Sequence, residues 1–325
     1  MADLHLLVTR PDVPGADDVR RAAVDLGARL TWLPTASGRL EPPPASLRVA
    51  LHDVDGVLAQ GADPLDAAAF DGAPRLRVAA LAAVGTDQVD LAAARRHGVR
   101  VCNTPGVLAE TTADTAFSLV LMARRGLVQA TDTMRAGGWT GFSPTAFLGH
   151  DVAGATLGVV GYGEIGRAVA RRARGFGMTV RHLHRGSAPA DGVSSPVGWE
   201  ELLGGSDVLV LAVPLTGQTR GMVDAAALAL MRPSATLVNI GRGPLVVQAD
   251  LLDALRTGRL HSAGLDVFDG EPRADKDDPV MSTPGLVVLP HVGSASHATR
   301  RAMTRLALRN LVAVLSGEEP PTPVV

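Results

Sequence analysis

Cysteine is all but missing. Cys102 is the only one in 325 residues, which excludes an internal disulfide framework and any Cys-rich metal site. Lysine is equally scarce: Lys276 stands alone, and every other basic residue is arginine. No sign of charge dominates. The 31 basic and 33 acidic side chains leave a formal net charge of -2, so there is no overall positive field to gather nucleic acid. No run of about 18 apolar residues escapes interruption by charge, and no membrane span is expected. Residues 1–8 are too short and too polar for a secretory signal, with Asp3 where a basic segment should stand, so the chain reads as cytoplasmic. Aromatics number ten, which leaves a core of Ala, Val and Leu. What is abundant is glycine (36) and proline (22), and with 46% hydrophobic residues this means tight turns rather than disorder. At roughly 150 residues per domain, the length suggests two domains.

Apolar runs and helical patterns alternate along the chain. Strands are expected at 4–8, 30–33, 47–51, 77–82 and 99–102, with helical segments at 17–26, 64–70 and 91–97. A long helical stretch follows from 110 to about 136, closed by Gly137-Gly138, and 142–153 reads as loop. A second rhythm then gives six strands, at 156–160, 179–182, 208–212, 236–240, 262–265 and 287–289, and a last helix covers 297–315. Strands with few charges alternating with helices predict an α/β protein with parallel sheets covered on both faces. Six strands are the number a dinucleotide-binding sheet needs.

The sharpest local signal is Gly161-Tyr162-Gly163-Glu164-Ile165-Gly166, a G-x-G-x-x-G turn between an apolar strand and a helical segment. Gly161 permits the tight turn, Gly163 lets the backbone approach a pyrophosphate, and Gly166 allows close helix–strand packing. The helix N-terminus offers N–H groups to phosphates. An NAD site usually carries Asp or Glu about 20 residues on, at the end of the second strand. Here that stretch is His182-Leu183-His184-Arg185-Gly186-Ser187, with no carboxylate. Arg185, with His184 beside it, suits a 2′-phosphate, so NADP(H) is expected in preference to NAD(H). The competing reading is a solvated Arg185 in an NAD site that lacks its acid.

No Ser/His/Asp nucleophile pattern and no H-E-x-x-H motif is present. Instead Arg242, Glu271 and His291 each follow an expected strand of the second rhythm. Reduction of a 2-oxo acid needs a cation for the carboxylate, a proton donor for the carbonyl oxygen, and a hydride. Arg makes a planar carboxylate clamp. His exchanges protons near neutrality. A carboxylate paired with an imidazole fixes its tautomer and favours the imidazolium. Each residue alone also has a bland reading, as a turn cap, a solvated acid or a loop histidine.

Several motifs together resemble the D-isomer-specific 2-hydroxyacid dehydrogenases over nearly the whole chain. They are Asn103-Thr104-Pro105-Gly106-Val107, Thr112-Ala113-Asp114, Gly154-Ala155-Thr156-Leu157-Gly158-Val159-Val160-Gly161, Pro214-Leu215-Thr216, Asn239-Ile240-Gly241-Arg242-Gly243, Gly264-Leu265-Asp266-Val267-Phe268 with Glu271-Pro272, and Leu289-Pro290-His291-Val292-Gly293. The glyoxylate/hydroxypyruvate reductases are the subgroup most resembled.

The resemblance implies two Rossmann-like domains with the active site in the cleft between them. The substrate domain would span 1–100, completed by 292–325, and the dinucleotide domain 101–291. Arg242 would bind the substrate carboxylate together with the amides around Val84 and Gly85. His291 would be the acid/base, hydrogen-bonded to Glu271. Thr112, Tyr162, Glu164, Ile165, Pro214, Thr219, Ile240, Asp266 and Gly293 would line the cofactor beside the turn glycines, Asp266 at the nicotinamide carboxamide. The family's dimers form through the dinucleotide domains, and Trp139 would either reach the partner's substrate pocket or pack the dimer arm. Residues 51–56 are expected to form one wall of the pocket, with Arg48 and Arg75 solvated nearby. No metal, nucleic acid or membrane is implied.

Two subgroups of the family are argued down: a phosphite enzyme would carry Lys near the position of Val84, and a formate enzyme would pair the histidine with Gln, where this chain has Glu271. Dehydrogenases of 3-phosphoglycerate or of bulkier 2-oxo acids such as phenylpyruvate or 2-ketogluconate stay open, as does a co-repressor-like protein that senses NAD(P)H.

Overall fold

A computed structural model describes residues 4–34, 44–183, 192–272 and 275–325. The chain divides into two compact units, one of Met1–Leu108 with Ala295–Val325 and one of Ala109–Ser294. The first division thus falls at Leu108, a few residues beyond the point near 100 expected from the chain.

The first unit is built on β1 (His5–Val8), β2 (Arg29–Trp32), β3 (Gly56–Gln60), β4 (Val78–Ala82) and β5 (Arg100–Cys102). All neighbours are parallel, in the order β2-β1-β3-β4-β5. This is a doubly wound order whose direction reverses between β1 and β3. Its helices are α1 (Ala16–Asp25), α2 (Pro44–Leu51), α3 (Ala67–Asp71) and α4 (Leu91–Arg96). Parallel strands buried on both faces read as continuous apolar runs, and β4 (VAALA) is buried throughout. Asp66 and Asp90 cap α3 and α4 by accepting from the N–H three residues on.

Residues 47–51, expected as a strand, are the last turn and a half of α2. Leu47 and Leu51 are four apart and fully buried, while Val49 between them is 78% exposed. That is helical spacing, and in so short a run it is indistinguishable from a strand without the neighbours. The true strand, β3, begins at Gly56. Residues 51–56 therefore lie at the amino end of a parallel sheet, whereas Val84 and Gly85 follow β4 at its carboxyl end. The expected pocket wall at 51–56 is thereby corrected. Leu51 and Val54 are core, and Asp55 accepts from the His5 amide at 2.9 Å and from Arg75 at 2.8 Å. Arg48 is paired with Asp66.

The second unit opens with α5 (Ala109–Arg124) and α6 (Leu127–Arg135). The expected single helix is broken at Gly126, whose φ of 63° ends one helix and starts the next. Its sheet comprises β6 (Thr156–Val160), β7 (Thr179–Leu183), β8 (Ser195–Val197), β9 (Val208–Leu211), β10 (Thr236–Asn239), β11 (Ser262–Leu265) and β12 (Leu286–Val288). Its helices are α7 (Glu164–Gly175), α8 (Trp199–Gly205), α9 (Ala225–Leu230), α10 (Gln248–Arg256) and α11 (Pro279–Ser282). The seven strands are parallel, in the order β12-β11-β10-β9-β6-β7-β8. The strand not expected is β8. Pro196 sits in it without cost because it is an edge strand. The remaining helix, α12 (His297–Leu315), packs on β3 and β4 of the first unit.

Both cores are dominated by Val, Leu and Ala, as the aromatic scarcity requires. Among the described residues no helix is long and apolar enough to cross a membrane. None of the described His, Cys, Asp and Glu residues form a group of three or more able to hold a metal ion.

Candidate active site

Because all seven strands of the second unit run the same way, their exits share one edge. That edge collects the glycine turn after β6, Pro214 after β9, Arg242 after β10, Asp266 after β11 and His291 after β12.

The glycine turn sits where the strand order reverses, between β6 and β9. Gly161 has φ +95°, and a Cβ there would stand 2.6 Å from the Ala212 carbonyl. A Cβ on Gly166 would stand 2.1 Å from the Gly161 oxygen, so α7 crosses the turn at backbone contact. Gly163 differs: it is the N-cap of α7 with no side-chain cap, and a Cβ there would meet nothing within 4 Å. A twelve-residue helix whose uncapped N-terminus opens on free space is a cradle for a phosphate group, so the residues present fit a dinucleotide. Glu164 is exposed, and Ile165 is half-buried against the core beneath. Tyr162 stacks on His182 of β7, with ring centroids 4.1 Å apart and planes at 11°. His182 is buried, and its Nδ1 lies 2.8 Å from the Ser194 hydroxyl. Nothing in the sequence pattern marks His182 as the prop of the turn. His184 and Arg185 lie outside the described residues.

Pro214 is exposed at the β9 exit, whereas Thr219 is fully buried. The Thr219 hydroxyl donates to the Pro214 carbonyl at 2.7 Å and accepts from the Thr216 amide at 2.8 Å, so it ties the loop together.

Arg242 is placed by a residue not singled out above. Asn239, the last residue of β10, is fully buried. Its Nδ2 donates to the Arg242 carbonyl at 2.8 Å and its Oδ1 accepts from the Gly241 amide at 3.1 Å. The Arg242 Nη1 donates to the Gly241 carbonyl at 2.8 Å. Ile240 turns into the core. Gly243 is required because a Cβ would stand 2.2 Å from the Phe268 carbonyl carbon.

His291 pairs with Glu271 through Nδ1 and Oε1 at 2.9 Å. The second Glu271 oxygen accepts from the Phe268 amide at 3.4 Å. With Nδ1 committed, Nε2 is the nitrogen left to meet a substrate. His291 adopts φ 54°, sparsely populated for a non-glycine residue, and such conformations persist only where the surroundings impose them. Asp266 does so. Its carbonyl accepts from the His291 amide at 2.9 Å, and its carboxylate takes the Val292 and Gly293 amides at 2.7 and 2.8 Å. Only 2% of Asp266 is exposed, and that burial pushes its carboxyl above the usual range against the pull of the two amides. Gly293 fits between Asp266 and Thr112 of α5: a Cβ would stand 2.9 Å from the carboxylate and 3.2 Å from the threonine methyl. Thr112 is itself buried.

Three expected substrate contacts lie elsewhere in the chain. Trp139, 57% exposed, belongs to the segment after α6. Val84 and Gly85 belong to the first unit, on the turn after β4.

Residues 117–293 match the family model described as D-isomer specific 2-hydroxyacid dehydrogenase, NAD binding domain. The chain is 43% identical over 289 residues to a glyoxylate reductase of Thermococcus gammatolerans, covering 87% of this chain and 86% of that protein. Among solved structures, a Thermus thermophilus protein superposes with a TM-score of 0.90 at 40% identity, covering 99% of this chain and 100% of the other. An NADPH-dependent glyoxylate/hydroxypyruvate reductase of Sinorhizobium meliloti, in complex with NADP and malonate, gives a TM-score of 0.81 at 34% identity, covering 100% and 97%.

Proposed function

Because the chain belongs to the D-isomer-specific 2-hydroxyacid dehydrogenase family, we propose that it reduces a small 2-oxo acid, glyoxylate or hydroxypyruvate, to the D-2-hydroxy acid with NADPH. The observation that carries this reading is the His291–Glu271 pair at 2.9 Å on the same sheet edge as Arg242.

Arg242 pairs with the substrate carboxylate, which orients the keto group. Protonated His291 donates from Nε2 to the keto oxygen as negative charge develops there, and ends neutral. Glu271 holds Nδ1–H, so the ring cannot turn away or present the wrong nitrogen. A bound nicotinamide supplies the hydride that reduces C2. The turn at 161–166, Thr112, Pro214, Thr219, Ile240, Asp266 and Gly293 would hold that cofactor. Val84 and Gly85 are assigned to the substrate carboxylate on the family pattern.

The preference for NADP(H) over NAD(H) rests on the absence of a carboxylate after β7 and on Arg185 and His184 in its place. The S. meliloti relative with bound NADP supports it. A cytoplasmic homodimer formed through the cofactor units is also part of the reading. It is supported by the apolar side chains left open on α6 and after it: Leu127, Met134, Trp139, Phe142 (88% exposed) and Leu148. Trp139 serves there as an arm residue or as a contact to the partner's pocket.

The test is the initial rate at 340 nm with NADPH and with NADH, against glyoxylate, hydroxypyruvate, pyruvate and phenylpyruvate. The expected result is fastest oxidation of NADPH by glyoxylate and hydroxypyruvate. Equal or better kcat/KM with NADH overturns the cofactor preference. Turnover confined to phenylpyruvate overturns the substrate, and tight NADPH binding without any turnover overturns the enzymatic reading.

A further inference from the structure

We propose that Asn103 is a positioning residue for the substrate carboxylate, acting by aiming the Gly85 amide; this rests on the assignment of the Val84 and Gly85 amides to that carboxylate.

The turn leaving β4 is clamped at two successive carbonyls by the segment leaving β5. The Thr104 amide donates to the Ala83 carbonyl at 2.8 Å, and the Asn103 Nδ2 donates to the Val84 carbonyl at 2.9 Å. A trans peptide is planar, with its C=O and N–H pointing opposite ways. Drawing the Ala83 oxygen toward β5 therefore turns the Val84 N–H away from β5. Drawing the Val84 oxygen the same way turns the Gly85 N–H away likewise. Two consecutive donors are thus presented side by side, as an anion requires. The first clamp is backbone to backbone and survives any substitution. The second depends on one side-chain amide.

The backbone of Asn103 is itself held on both sides, which fixes where its side chain starts. Its carbonyl accepts from the Thr322 hydroxyl at 2.7 Å and from Asn310 Nδ2 at 3.2 Å, and its amide donates to the Thr322 carbonyl at 3.3 Å. Asn310, on α12, is fully buried, and its Oδ1 accepts from the Thr322 amide at 2.9 Å. Asn103 opens the Asn103-Thr104-Pro105-Gly106 motif, and this geometry gives its first residue a task. Glycine at 85 leaves the donor uncovered by a side chain, and among the described residues the Val84–Gly85 peptide is held through its carbonyl by Asn103.

The test is steady-state kinetics on glyoxylate with saturating NADPH, comparing Asn103→Ala and Asn103→Asp with the parent chain. Ala removes the donor without adding charge, while Asp keeps the shape of Asn but replaces the donor with a carboxylate, so a KM raised in Asp and not in Ala is charge repulsion and overturns the proposal. Loss of an amide aimed at a carboxylate predicts a KM raised about tenfold or more in both variants. Within that comparison kcat should change less than about threefold, with NADPH dissociation and thermal midpoint unchanged. A KM within twofold of the parent in Asn103→Asp overturns the proposal. So does a loss expressed in kcat and thermal midpoint with KM unmoved, which would mark Asn103 as a structural prop. If the parent chain reduces no 2-oxo acid, the reading of function fails first and takes this role with it. If it reduces glyoxylate normally and Asn103→Asp does too, only the role of Asn103 fails.

Discussion

The two parallel sheets use their carboxyl edges in different chemical currencies. The seven-stranded sheet ends in ionisable side chains: Arg242 after β10, Asp266 after β11 and His291 after β12, with Glu271 between them in sequence. The five-stranded sheet ends, at β4, in a turn of neutral backbone at Val84 and Gly85, held at the Val84 carbonyl by the Asn103 side chain; on the function proposed above, its amides take the substrate carboxylate. An edge made of side chains can move a proton, and an edge made of amides can only hold a charge in place. The division of labour predicts that damage to the first edge falls on turnover and damage to the second falls on substrate affinity.

The largest expected effect lies on the first edge. His291→Ala removes the proton donor and should lower kcat by roughly 10²–10⁴-fold. NADPH binding, measured by fluorescence titration, should stay within about twofold, because the glycine turn and the Asp266 carboxylate are untouched. Near-normal turnover would assign the proton to another group and dissolve the contrast between the edges. The same assay applied to Asn103→Asp should show the opposite split, in KM rather than kcat.

That contrast also governs what could be read from the chain. Arg242, Glu271 and His291 stand out in the chain because their chemistry is in the side chain and each follows an apolar run, and the structure brings them to one sheet edge with His291 paired to Glu271. Asn239 and Asn103 do not, because they act through backbone carbonyls and amides whose directions only the fold reveals. The elements misread share a cause of another kind. In 47–51 two leucines four apart fit a helix, but five residues are too few to separate that from a buried strand. At β8 an edge strand of three residues with a proline carries no apolar run. The break at Gly126 sits inside a stretch that is helical on both sides, so only the left-handed φ marks it. Family motifs covered the rest, including the assignment of Val84 and Gly85, for which no residue chemistry exists to read.

A smaller effect separates two glycines in one turn. Gly166→Ala places a Cβ against the Gly161 oxygen and should disturb the unit itself, lowering the thermal midpoint. Gly163→Ala meets no protein atom within 4 Å and should leave the midpoint unchanged. If the pyrophosphate lies over Gly163, NADPH dissociation should nevertheless weaken on the order of tenfold, about 1.4 kcal/mol. An unchanged NADPH affinity in a folded Gly163→Ala would move the phosphates off this turn.

The finest distinction, a pH dependence rather than a loss of function, concerns Asp266, a carboxylate of the first edge whose burial raises its pKa. A carboxyl raised in the folded state binds its proton where the unfolded chain, at about 3.9, has already released it. Folding stability from this group is therefore greatest at or below that ordinary range and falls as pH rises toward the raised value. Asp266→Asn removes the titration while keeping one acceptor for the Val292 and Gly293 amides. Loss of the other acceptor should cost about 1–3 kcal/mol at neutral pH. In urea unfolding of the parent chain and the variant, the gap in midpoint should be widest near pH 4 and narrow toward pH 7. A gap that widens as pH rises would mean the two amides outweigh burial, making Asp266 an anchor stabilised by its charge rather than strained by it. The His291 loop would then be held more firmly at neutral pH than at acid pH. The first edge would in that case resemble the second in one respect, with backbone amides fixing where its charged group stands.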